Sequence, residues 1–183
     1  LQQRMQRQRT RATRSTRIRL EQRLKNRCRN TLLSVPEFAQ LPPNNIKAIL
    51  ATMKHHRYTK GEAICKQGDD ADFMGIIVSG SCSVTVGTGP GGLIPIRVAT
   101  LGELQYFGET AIAGGDVYED VYDPMNTPTP KRTATVIVES ESAELLRLER
   151  KQVARLAERG LLSATSLDKI KGVRNQRREE NAM

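Results

Sequence analysis

Two short stretches of the sequence carry residue types that could hold an anion. Phe107-Gly108-Glu109-Thr110-Ala111-Ile112 puts a glycine at the start of a short helix, where bare backbone can approach a negative group and free N–H groups point outward. Lys131-Arg132-Thr133-Ala134-Thr135-Val136 brings an arginine into a strand, and a guanidinium offers a fixed fork of donors. A third stretch, from Gly61 to Asp72, supplies a turn, a strand and a second glycine turn at Gly68. The other chemistry-bearing residues do not combine. His55 and His56 are adjacent near an expected helix end and point in different directions, so they are expected at the surface and make no metal cluster. Cys28, Cys65 and Cys82 are odd in number and widely spaced, which favours reduced thiols over a disulfide framework or a zinc site. No Ser or Cys sits in a nucleophile motif, and enzyme activity is not expected.

The elements that must position these residues follow from periodicity. Pro42, Pro43 and Asn44 separate a short helical piece through Val35, Phe38 and Leu41 from a helix carrying Ile46, Ile49, Leu50 and Met53. Beyond His56 the apolar period drops toward two. The expected strands are Tyr58 to Cys65, Phe73 to Val78, Ser81 to Val86, Leu93 to Leu101, Arg132 to Val138 and Glu144 to Leu148. Short strands at such close spacing indicate a barrel or jelly roll rather than a parallel sheet. Helical spacing returns at Val153, Leu156 and Ala157, with Gly160 as a stop, and Leu161 to Lys171 is a further helical candidate.

With 183 residues, the chain has room for one ordinary domain and tails. A hydrophobic fraction of 38%, with three Phe, four Tyr and no Trp, implies a modest aliphatic core. Charge is divided unevenly. Residues 1–30 hold ten Arg and Lys25 against the single Glu21, a net of +10, while the remainder holds 18 basic and 19 acidic side chains. The total of +9 is therefore an arm on a nearly neutral body. Within that arm, Arg4, Arg7, Arg11 and Arg14 recur at helical spacing, but a highly charged helix without a packing partner is unstable in water. The arm is expected to be disordered, or helical only against something acidic. From Ile18 an apolar stripe through Leu20, Leu24, Leu32 and Leu33 leads toward a folded unit. No window is apolar enough to span a membrane and the Arg-rich start lacks a signal-peptide h-region, so the expected setting is cytoplasmic. The absence of an initiator Met at Leu1 suggests a piece of a longer polypeptide or assembly.

Taken in order, these segments resemble the cyclic nucleotide-binding domain family, seen in the regulatory parts of cAMP- and cGMP-dependent kinases, in gated channels and in the bacterial catabolite activator. The resemblance runs from about Leu32 to Leu162. It implies an α+β fold, an antiparallel β-roll (a double-stranded β-helix of jelly-roll type) flanked by N- and C-terminal helices. It also implies a cyclic nucleotide ligand, cAMP or cGMP, and no other cofactor. By resemblance, Gly108, Thr110 and Ala111 belong to the phosphate-binding cassette, and Glu109 is the ribose ligand. Arg132 is the phosphate ligand, with Thr133 and Ala134 beside it. A Thr at the position of Thr133 is associated in the family with acceptance of cGMP, and Gly80, Val84, Val98 and Leu101 would wall the pocket. Several features depart from the family. Twenty-two residues separate Glu109 from Arg132, Leu104 replaces a customary Gly, and Gly75 stands where an aromatic is common. There is no aromatic from Leu161 to Met183 to cap a base, leaving Leu161, Leu162 or Ile170 for apolar contact.

The expected organisation is a basic arm over 1–30, a nucleotide-binding domain over 31–162 with an insert at 113–131, and a C-terminal helix and charged tail over 163–183. Two functions remain open. One is a regulatory sensor that passes nucleotide binding to the C-terminal helices. The other is a structural scaffold with a lapsed or altered pocket, anchored by its arm to an acidic protein or other polyanion such as a microtubule. In that case the chain would be cytoskeleton-associated and the insert a contact loop using Tyr118 and Tyr122.

Overall fold

Strand alternation sorts the middle of the chain into two layers. A computed structural model describes residues 18–19, 22–112 and 129–162. Helix α1 covers residues 22–33, followed by α2 (Pro36–Ala39) and α3 (Pro43–Thr52). The strands are β1 (Lys54–Thr59), β2 (Ala63–Cys65), β3 (Phe73–Ser79), β4 (Cys82–Thr88), β5 (Ile94–Leu101), β6 (Tyr106–Phe107), β7 (Thr135–Val138) and β8 (Ser142–Glu149), and α4 (Arg150–Glu158) follows. They form two antiparallel four-stranded sheets, ordered β1-β8-β3-β6 and β2-β7-β4-β5. This is the expected helix-flanked antiparallel roll.

Strand β3 shows how the layers are built. It is buried on both faces, so its sequence reads as an apolar run. Phe73 and Ile77 turn into the roll, against Phe107, Val136, Val138 and Leu145. Met74 and Ile76 turn outward onto the helices, meeting Leu32, Phe38, Ile49, Val153 and Leu156 in a second core. At Gly75 an added Cβ would lie 2.7 Å from the Phe107 ring, so the aromatic absent from position 75 is supplied across the sheet. The β3–β4 turn depends on Gly80, which holds φ +89° and has no room for a side chain beside the Ser142 carbonyl.

Several expectations need correction. The run from Tyr58 to Cys65 is two strands in different sheets, broken by a turn at Gly61, where φ is +83°. His55 and His56 lie on β1 rather than at a helix end. His55 is exposed as expected, whereas His56 is half-buried, with its Nε2 buried and its ring stacked on Tyr58. Helix α1 itself continues through residue 30, with Thr31 and Leu32 buried and Arg27 Nη2 donating to the Val78 carbonyl at 3.2 Å. Gly160, at φ +67°, ends α4 as expected. Residues 1–17, the core of the insert at 113–128 with Tyr118 and Tyr122, and the tail from 163 with Ile170 lie outside the described residues.

Candidate functional site

Arg132 reaches its position through the backbone on either side of it. The chain returning from the insert pairs with the turn after β2. Ala71 N–H donates to the Pro130 carbonyl at 2.7 Å, Arg132 N–H to Asp69 at 2.8 Å, and Gly68 N–H to Arg132 at 2.9 Å. Lys131 adds an ion pair to Asp70 at 2.7 Å. Gly68 has φ +89°, so the turn that receives Arg132 requires the conformation glycine supplies most cheaply. Strand β7 starts only at Thr135; Arg132 precedes it, Thr133 is exposed at a bend and Ala134 is half-buried.

The Arg132 side chain is only 4% exposed, with its guanidinium carbon 4.3 Å from the centroid of the Phe73 ring. Its charged neighbour is Asp72, 66% exposed, whose Oδ1 is 3.5 Å from Nη2, an ion pair at the outer edge of hydrogen-bond distance and so at best a weak acceptor. Nε, Nη1 and Nη2 otherwise lack a hydrogen-bond acceptor among the described residues. Burial pushes the guanidinium below its ordinary pKa, opposed by Cys65 and Asp72 and reinforced by Arg147. A buried guanidinium with unmatched donors is expensive unless an acceptor meets them.

Gly108 stands directly against this group. It has φ +75° and ψ +24°, and an added Cβ would collide with Arg132 Nη1 and lie 2.9 Å from the Phe73 carbonyl. The glycine thus permits a contact that any side chain would forbid. It opens a 3-10 turn, Glu109–Ala111, which replaces the expected short helix. Glu109 and Thr110 are half-buried in that turn. Ala111 faces the helical core, and its N–H donates to the Gly108 carbonyl at 3.0 Å, so that donor is already engaged. The structure therefore brings together Gly108 and Arg132, with Glu109 next in the chain, across the insert.

Of the expected wall residues, Val84 and Leu101 pack against the roll interior, Val98 is 49% exposed, and Gly80 serves the β3–β4 turn instead. Leu162 is buried in the helical core and Leu161 packs on it, its carbonyl accepting from Asn45 Nδ2 at 3.0 Å. Neither lies against the roll interior as a base cap would. Asp72, Phe73, Arg147 and Arg150 also belong to this neighbourhood and were not singled out from sequence. Strand alternation could have placed Phe73 and Arg147 inward, but nothing local marks Asp72 or Arg150. Among the described residues no group of His, Cys, Asp and Glu could hold a metal ion, and no helix is long and apolar enough to cross a membrane.

The roll, the glycine-opened turn and the buried arginine define a class of small-ligand-binding β-roll domains. A family model for the cyclic nucleotide-binding domain matches residues 55–159, and the chain belongs to that family. It is 29% identical over 122 residues to human cGMP-dependent protein kinase 2, covering 67% of this chain and 14% of the kinase. It is 30% identical over 128 residues to a Caenorhabditis briggsae cGMP-dependent protein kinase, covering 69% and 15%. The chain thus spans a small part of these relatives. In fold it is similar to the regulatory domain of Toxoplasma gondii PKA solved with cAMP (TM-score 0.63, 24% identity, 83% of this chain and 50% of that one). It is also similar to the Thermus thermophilus catabolite activator protein (TM-score 0.58, 24% identity, 80% and 59%).

Proposed function

We propose that the chain is a non-catalytic regulatory domain that binds a cyclic nucleotide, cAMP or cGMP, at Gly108–Ala111 and Arg132–Ala134. The observation that carries this reading is the Arg132 guanidinium, buried and without a close acceptor, with Gly108 pressed against it. A cyclic phosphodiester supplies one negative charge and the acceptor oxygens this group lacks. Glu109 accepts the ribose 2′-hydroxyl proton, and the Thr133 hydroxyl lies beside Arg132 in sequence. The relatives named as cGMP-dependent kinases and the neighbour solved with cAMP support a cyclic nucleotide without choosing between the two.

In this reading, transmission to the C-terminal helices runs through Arg150. Arg150, the first residue of α4, donates from its backbone N–H to the Asp72 carbonyl at 2.8 Å and from Nη1 to the Ala111 carbonyl at 3.4 Å. Asp72 in turn neighbours Arg132. An anion that draws Arg132 and the 109–111 turn together thus pulls on the start of α4, and shifts it only by its differential affinity for the two arrangements. In the same reading the domain is cytoplasmic, residues 113–131 are an insert in it, and the net +10 of residues 1–30 serves contact with an acidic protein surface.

Isothermal calorimetry and thermal unfolding of the chain with cAMP and with cGMP test this. Binding should raise Tm, because a ligand bound only by the native state stabilises it. Arg132→Ala should remove most of that gain. No heat and no shift at millimolar nucleotide would sink the proposal.

A further inference from the structure

Strand β8 turns Ala143 and Leu145 into the roll. Arg147, two residues further on, shares that face, paired with Gly75 on β3 and Lys54 on β1. Its guanidinium carbon lies 3.5 Å from the centroid of the Phe73 ring, the same ring against which Arg132 lies at 4.3 Å. Nη1 donates to the Tyr58 hydroxyl at 3.2 Å, while Nε is buried without a hydrogen-bond partner. Among the described residues no carboxylate lies within ion-pair distance of Arg147. The carboxylate near Arg132, Asp72, is 66% exposed. Two guanidiniums therefore lie against one aromatic ring, with a single, largely exposed carboxylate at ion-pair distance from either of them among the described residues. Like charges disfavour one another, and Arg147 adds to burial in lowering the pKa of Arg132, against Cys65 and Asp72, which raise it. The Tyr58 hydrogen bond and the ring contact favour an arginine here, but they are set against burial of Nε without a partner and repulsion from Arg132, which Met or Leu would avoid.

We propose that Arg147 is a second, affinity-determining cation of the anion site. It raises the positive potential at Arg132 and packs against the ring that supports that guanidinium, so that part of the affinity for a phosphodiester comes from relief of the arginine–arginine repulsion when the anion arrives. The inference rests on the reading of Arg132 as the phosphate ligand.

The test compares Arg147→Met, which keeps a long side chain against Phe73, with Arg147→Lys, which keeps the charge. In calorimetry with cAMP and cGMP at low ionic strength, Arg147→Met should lose about tenfold in affinity, and the loss should shrink as salt screens the site. Arg147→Lys should stay within about threefold of wild type. The ligand-free Tm of Arg147→Met should equal or exceed that of wild type. Equal affinities for wild type and Arg147→Met, equal losses in both variants, or a fall in ligand-free Tm that accompanies the loss would overturn the inference. Should wild type bind neither nucleotide, the functional reading fails separately. Arg147 is then judged with inorganic phosphate, which should stabilise wild type more than Arg147→Met; equal stabilisation would sink the claim.

Discussion

At the scale of single residues, glycine and its replacements decide what the backbone can do near the site. Gly108 is required twice over, by its left-handed conformation and by the guanidinium where a Cβ would sit. Leu104 is the opposite case. It occupies φ +66° in the turn before β6, where its N–H donates to Ile77 at 2.9 Å and its carbonyl accepts from Ser34 Oγ at 2.9 Å. The customary Gly at this position now has a physical meaning, because the turn keeps the glycine conformation while carrying a leucine. That conformation costs a branched or long side chain about 1–2 kcal/mol, and a Gly gives back about half of it through its freer unfolded chain. Leu104 is 50% exposed, so little packing is lost on removing it. Leu104→Gly should therefore stabilise the domain by about 0.5–1 kcal/mol in urea unfolding. A destabilised variant would show that the leucine side chain holds the turn by contacts rather than tolerating it.

At the scale of elements, strand β2 and helix α1 each carry a half-buried thiol, which gives an internal comparison. Cys65 Sγ lies 4.0 Å from the Ala134 carbonyl, two residues from Arg132. Burial pushes its thiol pKa up, with Arg132 opposing. Burial likewise raises Cys28 on α1, with Arg27 opposing. Buried Cys82 on β4 is pushed up to about 11 and should stay inert. Since the thiolate is the reactive form, labelling of Cys65 and Cys28 should be slow at neutral pH and quicken as pH rises. Saturating cyclic nucleotide should slow alkylation of Cys65 and leave Cys28 unchanged, as read by mass spectrometry of labelled peptides. Equal protection of both thiols would mean a global stabilisation, and no protection of either would place the ligand away from β2.

At the scale of the whole molecule, two cores share one sheet, and a half-buried histidine on its edge strand β1 links folding to pH. His56 is held below the ordinary imidazole pKa, chiefly by burial, with Arg147 and Lys54 adding to it and Glu149 opposing. A depressed histidine takes up its proton later in the folded state than in the unfolded one. Stability is thus unaffected above the unfolded pKa of about 6.5 and is lost as pH falls below it toward the folded value. His56→Gln should flatten the fall in Tm between about pH 7 and pH 5.5, a window above most carboxylate titrations. A profile identical to wild type would show that the imidazole reaches solvent on protonation.

What could be read from the sequence was whatever depends on near neighbours in the chain. Proline and glycine punctuation marked α2, α3, the end of α4 and most of the strands, and the Gly108 and Arg132 motifs stood out because each is a local pattern. The order of helices and strands, with those motifs between them, was enough to identify the family. Contacts across the fold were another matter. Whether Tyr58 to Cys65 is one strand or two depended on which sheet lay opposite each half, and β6 is too short to show a period. The contacts of Asp72, Phe73, Arg147 and Arg150 arise only when β2, β3, β8 and α4 converge, because electrostatic and packing energies depend on separation in space and not along the chain. The tertiary structure decided which charges share a ring, which donors lack an acceptor, and that Leu162 belongs to the helical core.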